Sequence, residues 1–175
     1  MPFTPFHMGP GLAIKAVAGR HFSVLVFGIA QVAMDIEPAI GMMREAPVLH
    51  GWTHSYIGAT AIGIAVLLLA PVLCRPILRR WNRELGHHRL GWLKSDEDIG
   101  WTAAATGAFL GTYSHVVLDS IMHADITPLS PWSQANGLLG CVSLDALHVA
   151  CVAAGVFGVA AWIAAGLWQR RRRDA

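Results

Sequence analysis

The sequence predicts an all-α, polytopic helical membrane protein, on three observations. Of its 175 residues, 54% are hydrophobic and a further 18 are glycine, well above the roughly 45–50% apolar share of soluble domains. Charge is sparse, with 13 Lys or Arg and 11 Asp or Glu, and it is bunched so that long intervals carry none. The basic residues gather mainly at 75–94 and 170–173, as they do beside the ends of membrane spans. This composition excludes a disordered chain, a nucleic-acid binder and a secreted disulfide scaffold. Cys74, Cys141 and Cys151 show no CxxC spacing and read as packing thiols.

Residues 1–40 read as an N-terminal helical hairpin. The start holds Pro2, Pro5 and Pro10 and lacks a basic run, so a cleaved signal peptide is not expected. The apolar stretch His21 to Met34 has only 14 residues, about half a crossing, which makes it a tilted or re-entrant arm. Pro38 is expected to stop that arm and leave Asp35 and Glu37 at the surface. The intervals Ala46 to Cys74, Ile99 to Leu118 and Ala146 to Gln169 contain no Asp, Glu, Lys or Arg. They predict spanning helices over 56–74, 100–120 and 143–168. Gly107 and Gly111 form a GxxxG on the middle one, which admits a close neighbour. Residues 75–98 then form a basic connection and 169–175 a basic tail, both cytoplasmic by the positive-inside rule.

That orientation carries the polar residues to the opposite, outer boundary. His50 and His54 precede the first predicted span, and His115 and Asp119 lie near the end of the second. His7 and Asp35 stand 13 and 15 residues either side of Arg20, so a hairpin turning there returns both to the outer level. His115 and Asp119 are spaced i,i+4, with His123 four further on, which puts them on one helix face. Ionisable groups at the end of an apolar span are costly and mark function by default. The plainer reading is a His–Asp hydrogen bond that tightens two helices. Imidazoles and carboxylates from several segments make a ligand set suited to zinc or manganese. His123 and Asp125 read either as contacts around that site or as loop polarity. Asp145 and His148 read as helix capping or additional ligands, and His21, His87 and His88 as solvated surface residues.

The segments Thr53-His54-Ser55, Ser114-His115-Val116-Val117-Leu118-Asp119-Ser120 and Pro128-Leu129-Ser130-Pro131-Trp132-Ser133, with His7 and Asp35 ahead of them, resemble a known family. It is that of the bacterial membrane-bound metal-dependent hydrolases of the YdjM type. The resemblance runs from His7 to Ser133 and implies a helical inner-membrane protein with a metal centre of His7, Asp35, His54, His115 and Asp119. The ligand order is also similar, more loosely, to that of zinc-dependent phospholipase C, which suggests phosphodiester chemistry. His123-Ala124-Asp125-Ile126 sits where those hydrolases usually have a shorter turn.

The function expected is a membrane-embedded hydrolase that uses one or two divalent ions, most readily zinc. It acts at the outer face on a lipid-like or lipid-linked phosphoester or ester. Glu37 and His50 are its candidate proton-transfer groups. A non-catalytic metal binder or cation carrier is the alternative. Transport needs polar groups along a whole route, and the inner halves of the spans offer only Thr102, Thr106 and tryptophan.

Overall fold

The computed structural model describes residues 5–174, and every regular element among them is helical. The order is α1 (Met8–Ala18), α2 (Val24–Met34), α3 (Ile36–Met43), α4 (Tyr56–His87), α5 (Trp101–Met122) and α6 (Leu144–Asp174), joined by single 3-10 turns and loops.

α1 and α2 form a hairpin that turns at Gly19, whose φ of 52° is open to a residue without a side chain. Lys15 Nζ ties the turn by donating to the Gly19 and Phe22 carbonyls at 2.8 and 2.9 Å. Ser23 then caps α2 by accepting from the Val26 amide.

The helical chain does not stop at Pro38. Pro38 is the third residue of α3 and is buried, in a first turn where the missing amide hydrogen is not needed. α2 and α3 follow one another through Asp35, and Val24–Met43 together is long and apolar enough to cross a membrane. The 14-residue arm expected from sequence is therefore the first part of a longer element. Asp35, expected at the surface, is 6% exposed.

Two further elements are long and apolar enough to span, Tyr56–His87 and Leu144–Arg172. α4 starts at Ser55, whose hydroxyl accepts from the Gly58 amide at 3.1 Å. It continues past Pro71 and Pro76 to His87, 32 residues in all, rather than ending near residue 74. At ~1.5 Å per residue it measures ~48 Å against a hydrocarbon core of ~30 Å. The excess is braced from outside. The Asn82 side chain exchanges two hydrogen bonds with the Ser95 backbone, at 2.7 and 3.1 Å. Arg75 and Arg79 pair with Asp98 and Glu97.

α5 has the length of a span, at 22 residues, yet its Thr, Ser, His and Asp residues lower its hydropathy. It is instead enclosed by α2 and α4. A Cβ at Gly107 would lie 2.7 Å from the Ser23 carbonyl oxygen, and one at Gly111 would lie 2.6 Å from Ala30 Cβ. The GxxxG pair is thus the face on which α2 rests. Val26, Ala30, Val66, Ala70, Cys74 and Ala108 are the buried apolar residues of this three-helix seam. α6 packs chiefly on α1, where Gly9 meets the Cys151 carbonyl and Gly158 meets Leu12. Val156, Phe157 and Trp168 on its other faces are exposed, as residues facing lipid are. Trp92 against Gly166, and the Ser23 amide on the Ala103 carbonyl, gather the basic connection, the hairpin turn and the α6 C-terminus at one end. His7, Asp35, His54, His115 and Asp119 gather at the other.

Candidate metal centre

Asp35, His54, His115 and Asp119 each offer a ligand atom, and these atoms lie within 4.8 Å of one another, all on buried residues. Three separate pieces of chain bring them there. Asp35 stands at the α2–α3 junction, His54 ends the 3-10 turn before α4, and His115 and Asp119 sit a turn apart on α5. His115 Nε2 is 3.2 Å from Asp119 Oδ2 and 3.4 Å from Asp35 Oδ1, while His54 Nε2 is 3.5 Å from Asp119 Oδ2. The other Asp119 oxygen faces His7, whose Nε2 is 3.3 Å away. Asp119 therefore has one oxygen toward His54 and His115 and the other toward His7, the arrangement a carboxylate needs to bridge two ions.

The hydrogen bonds behind the two central imidazoles determine which nitrogen each presents. The Gln31 amide nitrogen donates to the Gly111 carbonyl at 3.1 Å. A carbonyl can only accept, so the Gln31 oxygen is the atom 2.7 Å from His115 Nδ1, and His115 must donate from Nδ1. On the other side Thr53 reaches Glu37 Oε2 with both its amide, at 2.9 Å, and its hydroxyl. The Thr53 hydroxyl gives its proton to the carboxylate and is left to accept from His54 Nδ1, 3.0 Å away. Both imidazoles thus turn an Nε2 lone pair inward, as metal-ligating histidines held by outer partners do. A Cβ at Gly51 would stand 2.5 Å from Glu37 Oε1, so a glycine there gives Glu37 room to reach Thr53.

His54 Nε2, His115 Nε2, Asp119 Oδ1 and both nitrogens of His7 are buried without a hydrogen-bond partner among the described residues. The Nε2 lone pairs of His54 and His115 face Asp119 Oδ2 across 3.5 and 3.2 Å, an arrangement of acceptor against acceptor that calls for a cation between them. A proton on His115 would relieve one such contact and leave that of His54 as it is. The residues therefore fit a divalent ion. Burial pushes the His7 imidazole down to about 4 against the pull of Asp119. Burial likewise lowers His54 below its ordinary value. Both are neutral near pH 7, the form that binds metal.

A second group lies beside the first. His50, His123 and Asp125 also bring ligand atoms within 4.8 Å of one another, with the His50 and His123 rings stacked at 4.3 Å. Asp125 accepts from His50 Nδ1 at 2.9 Å and from the Leu49 and His50 amides. Burial works against its charge, but these bonds hold its carboxyl down at about 2. The rings of His7, His115, His54, His50 and His123 follow one another at 4.3–5.2 Å, joining the two groups in one row.

The structure brings His7, Asp35, His54, His115 and Asp119 together. Glu37 and His50 stand one step out, on Thr53 and on Asp125. His50 and His54, four apart in sequence, do not share a helix, since Gly51 (φ −92°, ψ −134°) lies between them outside any helix, yet their rings meet edge to face at 4.8 Å. His123, expected to extend the α5 face, is the extended residue that ends α5. Asp145 is exposed in the first turn of α6 and His148 stacks on Phe6, so neither reaches the cluster. His21, His87 and His88 are exposed. Gln31 and Thr53 were not anticipated. Their signals were a lone amide in an apolar arm, four residues before Asp35, and a threonine next to His54.

No curated protein and no solved structure matches the chain, and the resemblance to the YdjM-type hydrolases rests on the motifs alone. A family model does match, over residues 1–175, and by it the chain belongs to the family of DUF4184, a domain of unknown function.

Proposed function

We propose that the protein is a membrane-embedded, metal-dependent hydrolase of a lipid-like or lipid-linked phosphoester or ester, with its centre at the outer face of a bacterial inner membrane. The observation that carries this reading is the convergence of Asp35, His54, His115 and Asp119, with the Nε2 atoms of His54 and His115 turned inward and without a hydrogen-bond partner among the described residues. A structural His–Asp pair would complete its own hydrogen bonds. Zinc suits this mixed imidazole and carboxylate set best, and manganese is the next candidate. Such an ion supplies Lewis acidity that activates water and polarises a phosphoryl or carbonyl oxygen.

The chain's own residues do the rest. Asp35 and Asp119 provide the negative charge that balances a divalent cation, and His7 extends the site past Asp119 toward a second ion. Gln31 and Thr53 hold His115 and His54 in the ligating tautomer. Asp125 fixes the proton of His50 on Nδ1, which leaves His50 Nε2 to take or give a proton at the edge of the centre. Glu37 is spent on Thr53 and acts through it as a positioning residue.

The test is turnover by the purified full chain on a panel of phosphodiester and carboxylic-ester lipids, before and after chelation and after zinc is restored. Metal-dependent turnover of one class, abolished in Asp119→Ala, is expected. Stoichiometric metal without turnover on any lipid would overturn the hydrolase in favour of a binding protein. The absence of bound metal in the wild type would overturn the centre itself.

A further inference from the structure

A groove runs between α1 and α5 on the flank of the fold. Its volume is about 380 Å³, open on one side, with Pro10 and Ile14 of α1 and Leu110, Tyr113, Val117 and Leu118 of α5 lining it. Its size falls in the ordinary range of ligand sites, ~300–1,000 Å³. Its wall is apolar because its polar groups are already bonded. The Ser114 hydroxyl donates to the Gly111 carbonyl at 3.1 Å, and the Tyr113 hydroxyl pairs with Thr60 at 2.9 Å.

Helical spacing ties this groove to the cluster. His7, Pro10 and Ile14 are spaced i, i+3, i+7, so the α1 face that lines the groove has His7 at its head. On α5, Ser114 and Leu118 each precede a cluster residue, His115 and Asp119. His7, just ahead of α1, comes within 3.3 Å of Asp119 on α5, so the cluster lies next to the end of the groove marked by Pro10 and Leu118. From Leu110 to Leu118 the groove extends ~12 Å, close to the ~15 Å depth of one hydrocarbon leaflet. It opens sideways: α6 packs on α1, α4 packs on α5, and Leu110 between them is 42% exposed.

We propose that this groove holds an acyl chain of a membrane lipid, with the polar end of that lipid brought against His7 and Asp119. The inference rests on the reading of the cluster as a site for a lipid-like substrate, and it assigns how that substrate enters, laterally from the leaflet between α1 and α5. Water in an apolar groove at this depth would find no partners. A chain of methylenes matches the wall, the length and the opening together.

The test uses the full chain in phosphatidylcholine vesicles that contain phosphatidylglycerol with a diazirine midway along one acyl chain. Photolysis is expected to place adducts on Ile14, Leu110 and Val117 in excess of the exposed faces of α4 and α6. Leu110→Trp puts an indole into the groove from a half-exposed position. It is expected to cut those adducts about tenfold, the discrimination commanded by as little as one surplus methylene in an apolar pocket, with bound metal unchanged. Adducts spread evenly over Leu69, Val156 and the groove, or insensitive to Leu110→Trp, would overturn the proposal. The two readings fail separately. Groove adducts without any metal-dependent turnover would remove the hydrolase and keep the chain site, whereas turnover on lipids without groove adducts would do the reverse.

Discussion

Replacing Gln31 by leucine tests whether the centre depends on the tautomer of His115. In the wild type the Gln31 oxygen accepts the Nδ1 proton at 2.7 Å, leaving Nε2 bare toward Asp119 and Asp35 at 3.2 and 3.4 Å. With leucine at residue 31 the metal-free protein relaxes, since the proton moves to Nε2 and is donated to Asp119. Binding a metal must then force it back to Nδ1, where it is buried against a methyl group. An unpaired buried donor costs about 1–3 kcal/mol, and at ~1.4 kcal/mol per decade this predicts affinity weaker by about 10- to 100-fold. Gln31→Glu keeps an acceptor for Nδ1 and is expected to recover most of the loss, although it faces the Gly111 carbonyl without a donor. The assay is zinc competition against a chromophoric chelator in detergent, with the melting temperature of the metal-free protein as the check on folding. Wild-type affinity in Gln31→Leu, with folding intact, would refute the assignment of His115 Nε2 as a ligand.

Thr53→Val should act on His54 as Gln31→Leu acts on His115, lowering zinc affinity by about tenfold or more, with Thr53→Ser retaining it in the same competition assay. The buried His7, near 4, stays neutral while an unfolded imidazole near 6.5 takes up a proton. Stability of the chelated protein should therefore fall as pH falls from 6.5 toward 4, by up to about 1.4 kcal/mol per unit. Denaturant melts of His7→Gln should show a shallower slope over that window, and an unchanged slope would place His7 in water. Asn82 is buried against Ser95, so topology is better read at exposed neighbours. Arg83→Cys should be labelled only from the cytoplasm and Gln134→Cys only from outside, and the reverse pattern would turn the centre inward.

Much of this arrangement is legible in the sequence wherever a regular element converts spacing into proximity. His115 and Asp119 need only an α-helix to become neighbours, and Gly107 and Gly111 need only one to form a smooth face for α2. The hairpin follows from a polar tip between two apolar runs, and it carries His7 and Asp35 to one level. What the sequence hides depends on partners far along the chain. The proline pair and the arginines after Cys74 look like a helix end, and only the bonds from Asn82, Arg75 and Arg79 to residues 95–98 show why α4 runs on. Pro38 reads as a stop until its place in the first turn of α3 is known, so the burial of Asp35 goes unseen. His50 keeps its ring beside that of His54 but bonds to Asp125, 75 residues away, a partner that no periodicity records. The outward nitrogens of His54 and His115 are met by Thr53 and Gln31, residues whose side chains carry no chemical signature of their own.

The ligands of the centre are spread from residue 7 to residue 119, and that spread sets the order in which the molecule can be built. His7 emerges from the ribosome first, but its partner Asp119 follows only after α2, α3 and α4 have been made. Until α5 slots between α2 and α4 on its two glycines, Asp35 and His54 lie on separate segments and no ion can hold both. On the proposed reading, capture of a metal would thus be a late event in biogenesis, coming once five of the six helices are in place. An ion held there would work as a clasp, closing long loops of chain. A chain halted before α5 would reach the membrane with its histidines unfilled, and it would present a different target to quality-control proteases from the finished protein.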